Sequence, residues 1–496
     1  MKGAGTSKVL ARARRGAAWA VLAILASACT VGPDFARPEP PATKAYTRES
    51  GSTLSPADAA AFEQHVAPGK KPAPEWWKEF RSPDLDQVID RAVAANRTLA
   101  AARSTLAQAR EAVTAAEGAL YPQADFAASA GAQQYGAAFL GTTQLPPAFG
   151  FLSLGPTVSY ALDVFGGTKR RIEGAEALAA YQAYQLEAAV LVLTGNVVGQ
   201  AIAIASIRAQ IKAVQDILEG DEQNLELVRA ARAAGAVSDV DVLSAESQLA
   251  NDRTLLPPLR QQESVARHAL AILAGKAPAD WSPPEFELAQ LTLPGELPLS
   301  LPSELIHERP DIMAAEAQLH AASAAVGVAT ANLYPQITLT GGLSQQALDA
   351  GHLFTAAATA WSVIGGLTAP IFHGGELEAE RRAAVEAYKS SLAQYEETVL
   401  QAFGQVADVL RALAHDAEQL AAQKHAVESA GASLRLTRVS YSAGSTGILL
   451  VLDAERLYAQ ARLGYARADA QRYDDTARLF LALGGAVLAG NGAPAN

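Results

Sequence analysis

The sequence predicts an α+β fold in which amphipathic strands, patterned as membrane strands are, alternate with very long helices. Three observations carry that prediction: a duplication of long period, uncharged stretches that alternate apolar and polar residues, and heptads sustained over tens of residues. ALYPQADFAASAG at 119–131 returns as NLYPQITLTGG at 332–342, an offset of 213. AGAVSDVDVLSAES at 234–247 lines up with AGSTGILLVLDAER at 443–456, an offset of 209. A period this long marks two copies of a complex unit rather than a solenoid.

In the first half a helix comes first, with Leu99, Leu106, Val113 and Leu120 at seven-residue intervals. LYPQ then ends it, because proline cannot continue a helix. From Phe126 to Leu162 there is no Asp, Glu, Lys or Arg, yet the segment is too rich in Gly, Ser, Thr and Gln for a membrane helix. Within it Leu152, Leu154, Val158, Tyr160 and Leu162 alternate with Ser153, Gly155, Thr157, Ser159 and Ala161. In the second half Ile337, Leu339 and Leu343 alternate with Thr338, Thr340 and Ser344, and Trp361, Val363, Leu367 and Ile371 repeat the pattern with Ser362, Gly366 and Thr368. This period of two predicts one strand hairpin per half. Patterning alone fits a transmembrane barrel and a soluble sheet packed on helices equally well. Four strands cannot close a barrel, and open edges are not tolerated in lipid, so the chain must oligomerise if the strands span.

After each hairpin comes a glycine pair, FGG at 165–167 and FHGG at 372–375, and then a long stretch without proline. Val190, Val197, Ile204, Ile211, Leu218 and Leu225 are spaced by seven in the first half. In the second, Val385, Leu392, Val399, Val406, Leu413, Leu420, Val427, Leu434 and Tyr441 do the same. Sustained heptads make supercoiled helix contacts. Helices over about 168–234 and 376–443 would each reach on the order of 100 Å at 1.5 Å per residue. Gly235 and Gly444 end them, and helical patterns resume at about 239 and 448. The uncharged runs 188–207 and 353–372 match a membrane helix in length. The first, however, sits inside the heptad with Asn196 and Gln200, and the second alternates as a strand does.

The amino terminus tips the strands toward a membrane. Lys2, Lys8, Arg12, Arg14 and Arg15 precede the apolar AAWAVLAILASA, which ends in small residues, the layout of a secretory signal. Cys29 is the only cysteine, so it forms no internal disulfide or Cys-based metal pair. It stands where the first mature residue would be.

The chain thus divides into a signal peptide (1–28), an N-terminal tether (29–75), a first repeat (76–275), a linker (276–302), a second repeat (303–485) and a disordered tail (486–496). The first repeat holds a hairpin at about 123–165, a long helix at about 168–234, a tip at about 235–240 and a return helix to 275. The second holds a hairpin at about 336–372, a long helix at about 376–443, a tip at about 444–447 and a return helix to 485.

The formal charge is −11, and removing the five leader cations takes it to about −16, a poor match to nucleic acid. No P-loop, HExxH, GxSxG or His/Cys cluster is present, the eight histidines are scattered, and two methionines make no thioether path for soft metals. No catalysis and no bound metal are expected.

LASAC at 25–29 resembles the bacterial lipobox, with Ala26 where that pattern usually carries leucine. The resemblance implies an S-diacylglycerol and an N-acyl group on Cys29 and no other cofactor. Thr30, in place of the Asp that retains such lipoproteins at the inner membrane, implies sorting to the outer membrane. CTVGPDFARP (29–38), WWKEFRSPDLDQVI (76–89), the twice-used LYPQ, LPSELIHERPDI (301–312) and the two glycine-centred tips together resemble the TolC-like outer-membrane efflux proteins. More narrowly, they resemble the acylated NodT-type branch that serves resistance-nodulation-division pumps.

That resemblance implies a homotrimer, with four strands per protomer in a twelve-stranded outer-membrane barrel. The barrel would continue into a long periplasmic α-helical coiled-coil barrel with a mixed equatorial region. It implies a passive exit duct of a tripartite efflux system for small toxic compounds or drugs. The partners would be a periplasmic adaptor (a membrane fusion protein) and an inner-membrane RND pump, the duct being lipid-anchored in the cell outer membrane and extending into the periplasm. Carried over by position, its periplasmic gate residues are Asp241, Tyr441 and the aperture acid Asp453. Thr446 stands where some members carry a linking Arg, and Leu450 where they carry a further aperture Asp. The alternatives are the outer-membrane channel of a type I secretion system and a lipid-tethered periplasmic coiled-coil scaffold without a pore.

Overall fold

The computed structural model describes residues 30–43, 45–47, 64–141 and 143–485. The leader 1–28, Cys29, residues 48–63 of the tether and the tail 486–496 lie outside the described residues. The element order is β1 (His65–Pro68), a 3-10 turn (Trp76–Phe80), α1 (Pro83–Ala95), α2 (Arg97–Glu117), β2 (Gln123–Gln133), β3 (Phe149–Leu162), α3 (Gly167–Ala233), α4 (Asp239–Arg253) and α5 (Leu256–Leu273). Then follow β4 (Glu296–Leu299), α6 (Pro302–Leu305), α7 (Pro310–Ala331), β5 (Gln336–Ala347), β6 (Thr359–Thr368), α8 (Glu376–Ser442) and α9 (Ile448–Ala482).

The chain forms two compact units. One gathers the described residues within Met1–Arg37, Leu106–Tyr181 and Ala315–Tyr395 around a four-stranded antiparallel sheet of order β2-β3-β5-β6. Alternation sets its register. Leu343 pairs with Trp361 and Ile337 with Leu367, while Tyr160 pairs with Leu339 and Leu162 with Ile337, so these apolar residues of β3, β5 and β6 share one face, with Ile364 on the other.

The second unit, the described residues within Pro38–Thr105, Gln182–Ala314 and Glu396–Asn496, is helical and has a dry core. Trp76, Trp77 and Phe80 pack there with Leu85, Ile89, Val197, Val198, Ile204, Leu270 and Phe480. Trp76 stacks on Phe480 at 5.4 Å. This explains the uncharged run 188–207: it is the part of α3 that supplies Leu193, Val197, Val198, Ala201, Ile202 and Ile204 to this core. The run 353–372 contains β6 and no α-helix. Heptad positions Val197, Ile204, Leu225, Val399, Val406, Leu413, Leu420 and Leu434 are all buried. Entry into this unit is capped locally: Ser82 Oγ accepts from Leu85 N, and Asn96 Oδ1 accepts from Thr98 N and Leu99 N.

Three details differ from the sequence expectation. The tether contains a strand, because β1 pairs in parallel with β4, from His65↔Glu296 to Pro68↔Leu299, and the linker supplies that partner. Residues 30–37 are likewise docked rather than free, as described below. The first return helix is two helices: α4 stops at Arg253 and α5 starts at Leu256 with a proline in its first turn. Pro257 and Pro258 lack the N–H groups that a continuous helix would need. The second half has no proline there, and α9 runs unbroken for 35 residues.

Candidate functional site

The sheet is the first candidate. Its strands hold 11, 14, 12 and 10 residues, the length at which a tilted strand crosses a bilayer core. Trp361 is 77% exposed, Val363 and Leu367 each 68%, and Phe126, Leu343, Leu339 and Val158 are exposed with them on the apolar face. The opposite face carries Gln123, Ser129, Ser153, Thr157, Ser159, Thr338, Thr340, Ser344, Ser362 and Thr368. Among the described residues β2 and β6 each pair on one side only, so the sheet keeps two open edges. An apolar outer face, a polar inner face and unpaired edges suit a segment of a closed transmembrane barrel.

The amino-terminal segment is the second. Val31 N donates to Phe165 O at 3.1 Å. Arg170, whose side chain is 5% exposed, donates to Val31 O (3.3 Å), Asp34 (2.5 Å) and Glu173 (2.7 Å). Phe35 stacks on His320 at 4.3 Å, His320 meets Glu173 at 2.9 Å, and Arg37 meets Glu316 at 2.7 Å. Gly32, at φ 93°, lies so close to Gly327 that a Cβ would fall 2.5 Å from its Cα. Thr30 rests on Gly166, between β3 and α3. TVGPDFAR is therefore a docking sequence. Sequence reading missed Arg170, Glu173 and His320; their only signals were a cation and glycines at helix positions.

The third candidate is the pair of tips. Gly235 and Gly444 adopt φ 75° and 74° and end α3 and α8. Gly235 N bonds Arg232 O and Ala236 N bonds Ala231 O, the left-handed cap that glycine favours. Asp241 sits three residues after the N-cap Ser238 and accepts from its N (2.8 Å) and Oγ (2.7 Å). Those side-chain and backbone bonds hold its carboxyl below the ordinary range. Tyr441 is half-buried and packs with Leu225, Val228, Ile448, Val451 and Leu452. Asp453 is exposed and meets Arg456 at 2.6 Å. Leu450 is exposed, while Thr446 Oγ1 is buried with no hydrogen-bond partner. The tips thus bring Asp241 to Ser238 and Asp453 to Arg456.

Above the tips lies a polar layer that motif reading did not find. Glu455 on α9, buried, accepts from Asn224 on α3 and from Arg438 on α8 (2.7 Å). Asp216 meets Lys212 at 2.9 Å and Arg462 at 2.7 Å, which together hold its carboxyl down against the opposing effect of burial. A cavity of about 280 Å³ opens beside them, lined by Asp216, Asp221, Leu434, Arg438, Glu455 and Arg462. Burial, first, and the facing Asp252 carboxylate, second, push Asp221 up to about 8.

The outer membrane efflux protein family model matches residues 88–276 and 301–485. The pyoverdine export outer membrane protein OpmQ of Pseudomonas aeruginosa is 32% identical over 447 residues, covering 88% of this chain and 94% of that one. The probable outer membrane lipoprotein SilC of Salmonella typhimurium is 28% identical over 463 residues, covering 93% and 96%. Among solved structures, the outer-membrane channel OprN superposes with a TM-score of 0.83 at 29% identity, covering 92% of this chain and 99% of that one.

Proposed function

The chain belongs to the outer membrane efflux protein family, and on that premise we propose that three copies assemble into the passive exit duct of a tripartite efflux system. It is an outer-membrane component of an efflux system. The observation that carries the trimer is the sheet with a bare apolar face and two open edges. Three such sheets joined edge to edge make twelve strands, leave no open edge in lipid and turn the Ser/Thr face toward a water-filled lumen.

In this reading the protein performs no chemical step. The energy comes from an inner-membrane pump of the resistance-nodulation-division class, reached through a periplasmic adaptor, and the cargo is small toxic compounds or drugs. Cys29 carries the S-diacylglycerol and N-acyl groups, and residues 30–37, clamped by Arg170, set where they leave the protein. The lipobox-like LASAC and the lipoprotein relative support this. The strands hold the chain in the membrane, so the acyl groups assist sorting rather than retention.

The tips are proposed as the gate, with Tyr441 in their apolar packing and Asp241 and Asp453 as their acids. Leu450 in place of a further acid leaves a single ring of three Asp453 carboxylates, each offset in part by its own Arg456. Such a ring favours cations, more so at low salt.

Planar bilayers test the reading. The purified protein should migrate as a heat-modifiable trimer and insert discrete cation-preferring conductances, and Asp241→Ala combined with Tyr441→Phe should raise them. A trimer without conductance would favour the pore-free scaffold. Unchanged conductance in the double variant would remove the gate assignment alone.

A further inference from the structure

Each helical hairpin places two aspartates face to face across its two helices, where a salt bridge would be the ordinary arrangement. In the first, Asp221 of α3, 4% exposed, faces Asp252 of α4, where the adjoining Glu222 and Arg253 meet at 2.8 Å. In the second, Asp416 of α8, 9% exposed, faces Asp475 of α9, 2% exposed. Two ionised carboxylates so placed only repel; with a proton on one, it can donate to the other.

The surrounding groups say where that proton resides. Asp252 Oδ2 accepts from Gln248 Nε2 at 2.7 Å. Asp475 accepts from Gln471 (2.8 Å) and Arg478 (3.2 Å). Both are thus satisfied as carboxylates. Asp221 Oδ2 and Asp416 Oδ2 are buried and meet no N–H or O–H donor, as expected of acids that supply the hydrogen themselves. The other charges facing Asp221 are Glu455 on α9, which opposes ionisation, and Arg438 on α8, which favours it but is already engaged by Glu455. Facing Asp416 are Asp475, Arg472 and Arg478, all on α9.

We propose that these two acid pairs are proton-operated fasteners: each holds its return helix against its long helix while it keeps one proton, and loosens when that proton leaves. Asp221 also lines the cavity beside Arg438 and Arg462, which gives water a path to the first pair. The consequence for transport rests on the duct reading above; the fastening itself does not.

The direction with pH follows from linkage. In an opened hairpin Asp221 and Asp416 are hydrated and titrate near their ordinary 3.8, whereas in the closed one burial and the facing carboxylate raise them to about 8. The closed hairpin therefore binds more protons than the open one between those values. Its advantage is full below about 4, is lost progressively as pH rises, and is gone above about 8. Opening should rise by up to about tenfold per pH unit for each pair across that window.

Hydrogen exchange on the assembled protein, corrected for the chemical exchange rate, tests this between pH 5 and 9. Amides of α4 and α9 should lose protection as pH rises and level off above about 8. Asp221→Asn should flatten the response in α4 alone, and Asp416→Asn in α9 alone, since an amide donates the same bond with no proton to lose. Should Asp221→Asn fail to assemble, Asp252→Asn should move the loss of protection in α4 to lower pH, because it removes the facing carboxylate and leaves burial alone to hold Asp221 up. A flat wild-type profile, or Asn variants that keep the wild-type slope, would overturn the proposal. In bilayers, conductance should rise with pH in the wild type and not in the double Asn variant. A protein that conducts at no pH would count against the duct and leave the exchange result standing.

Discussion

Two apolar surfaces of this chain meet opposite fates. Leu193–Ala205 of α3 is sealed by Trp76, Trp77, Phe80 and Phe480, and its Val197, Val198 and Ile204 are fully buried. Leu339, Leu343, Trp361, Val363 and Leu367 stand bare on the sheet. The spacing of their neighbours explains the difference. A helical stripe can be covered by other helices of the same chain, whereas a strand pair buries one face only if something is laid on it. Among the described residues the chain supplies a lid for the first surface and none for the second. The first therefore stabilises the protomer, and the second stabilises its residence in lipid.

The largest expected effect separates those two roles. Trp76→Ala deletes a fully buried ring stacked on Phe480 and should destabilise the helical unit by about 3–5 kcal/mol, read as a lowered urea midpoint in detergent. Trp76→Phe should cost much less, because it keeps an aromatic body and removes an indole N–H that has no acceptor. A cost under about 1 kcal/mol for the alanine variant would mean that this core is not what seals α3.

The sheet should respond differently. Val363→Arg should leave the detergent midpoint unchanged and lower insertion into lipid vesicles, by about 2–4 kcal/mol if the residue lies near the bilayer centre and about 0–1 near its rim. Loss of the detergent midpoint with normal insertion would reverse the roles assigned to the two surfaces.

How much of this was legible in sequence varies with the range of the interaction. The strands and long helices were written in local periodicity: Leu152 to Leu162 alternate, and Val385 to Tyr441 repeat by seven. The break between α4 and α5 was also local, in Pro257 and Pro258, but the helical pattern on either side obscured it. Docking of residues 30–37 was not legible, because Asp34 and Arg170 are 136 positions apart and a Pro-containing segment reads as a tether. The acid pairs were less legible still. Asp221 and Asp416 look like solvated heptad residues until the fold sets Asp252 and Asp475 against them.

The smallest expected effect is the sharpest check on which face of the sheet meets lipid. Ile364 adjoins Val363 and is 60% exposed, yet it pairs with Thr340 and points to the side that carries Ser362, Thr338 and Thr157. If that side faces water, its apolar surface contributes nothing to insertion. Ile364→Thr should then change vesicle insertion by no more than about 0.5 kcal/mol, keeping the β-branched shape that strands favour. The lumen would lose one apolar spot, with little change in conductance. An insertion defect as large as that of Val363→Arg would place Ile364 in lipid and the Ser/Thr ladder with it. Since hydroxyl groups without partners are costly in hydrocarbon, the sheet as paired could not then belong to a membrane barrel.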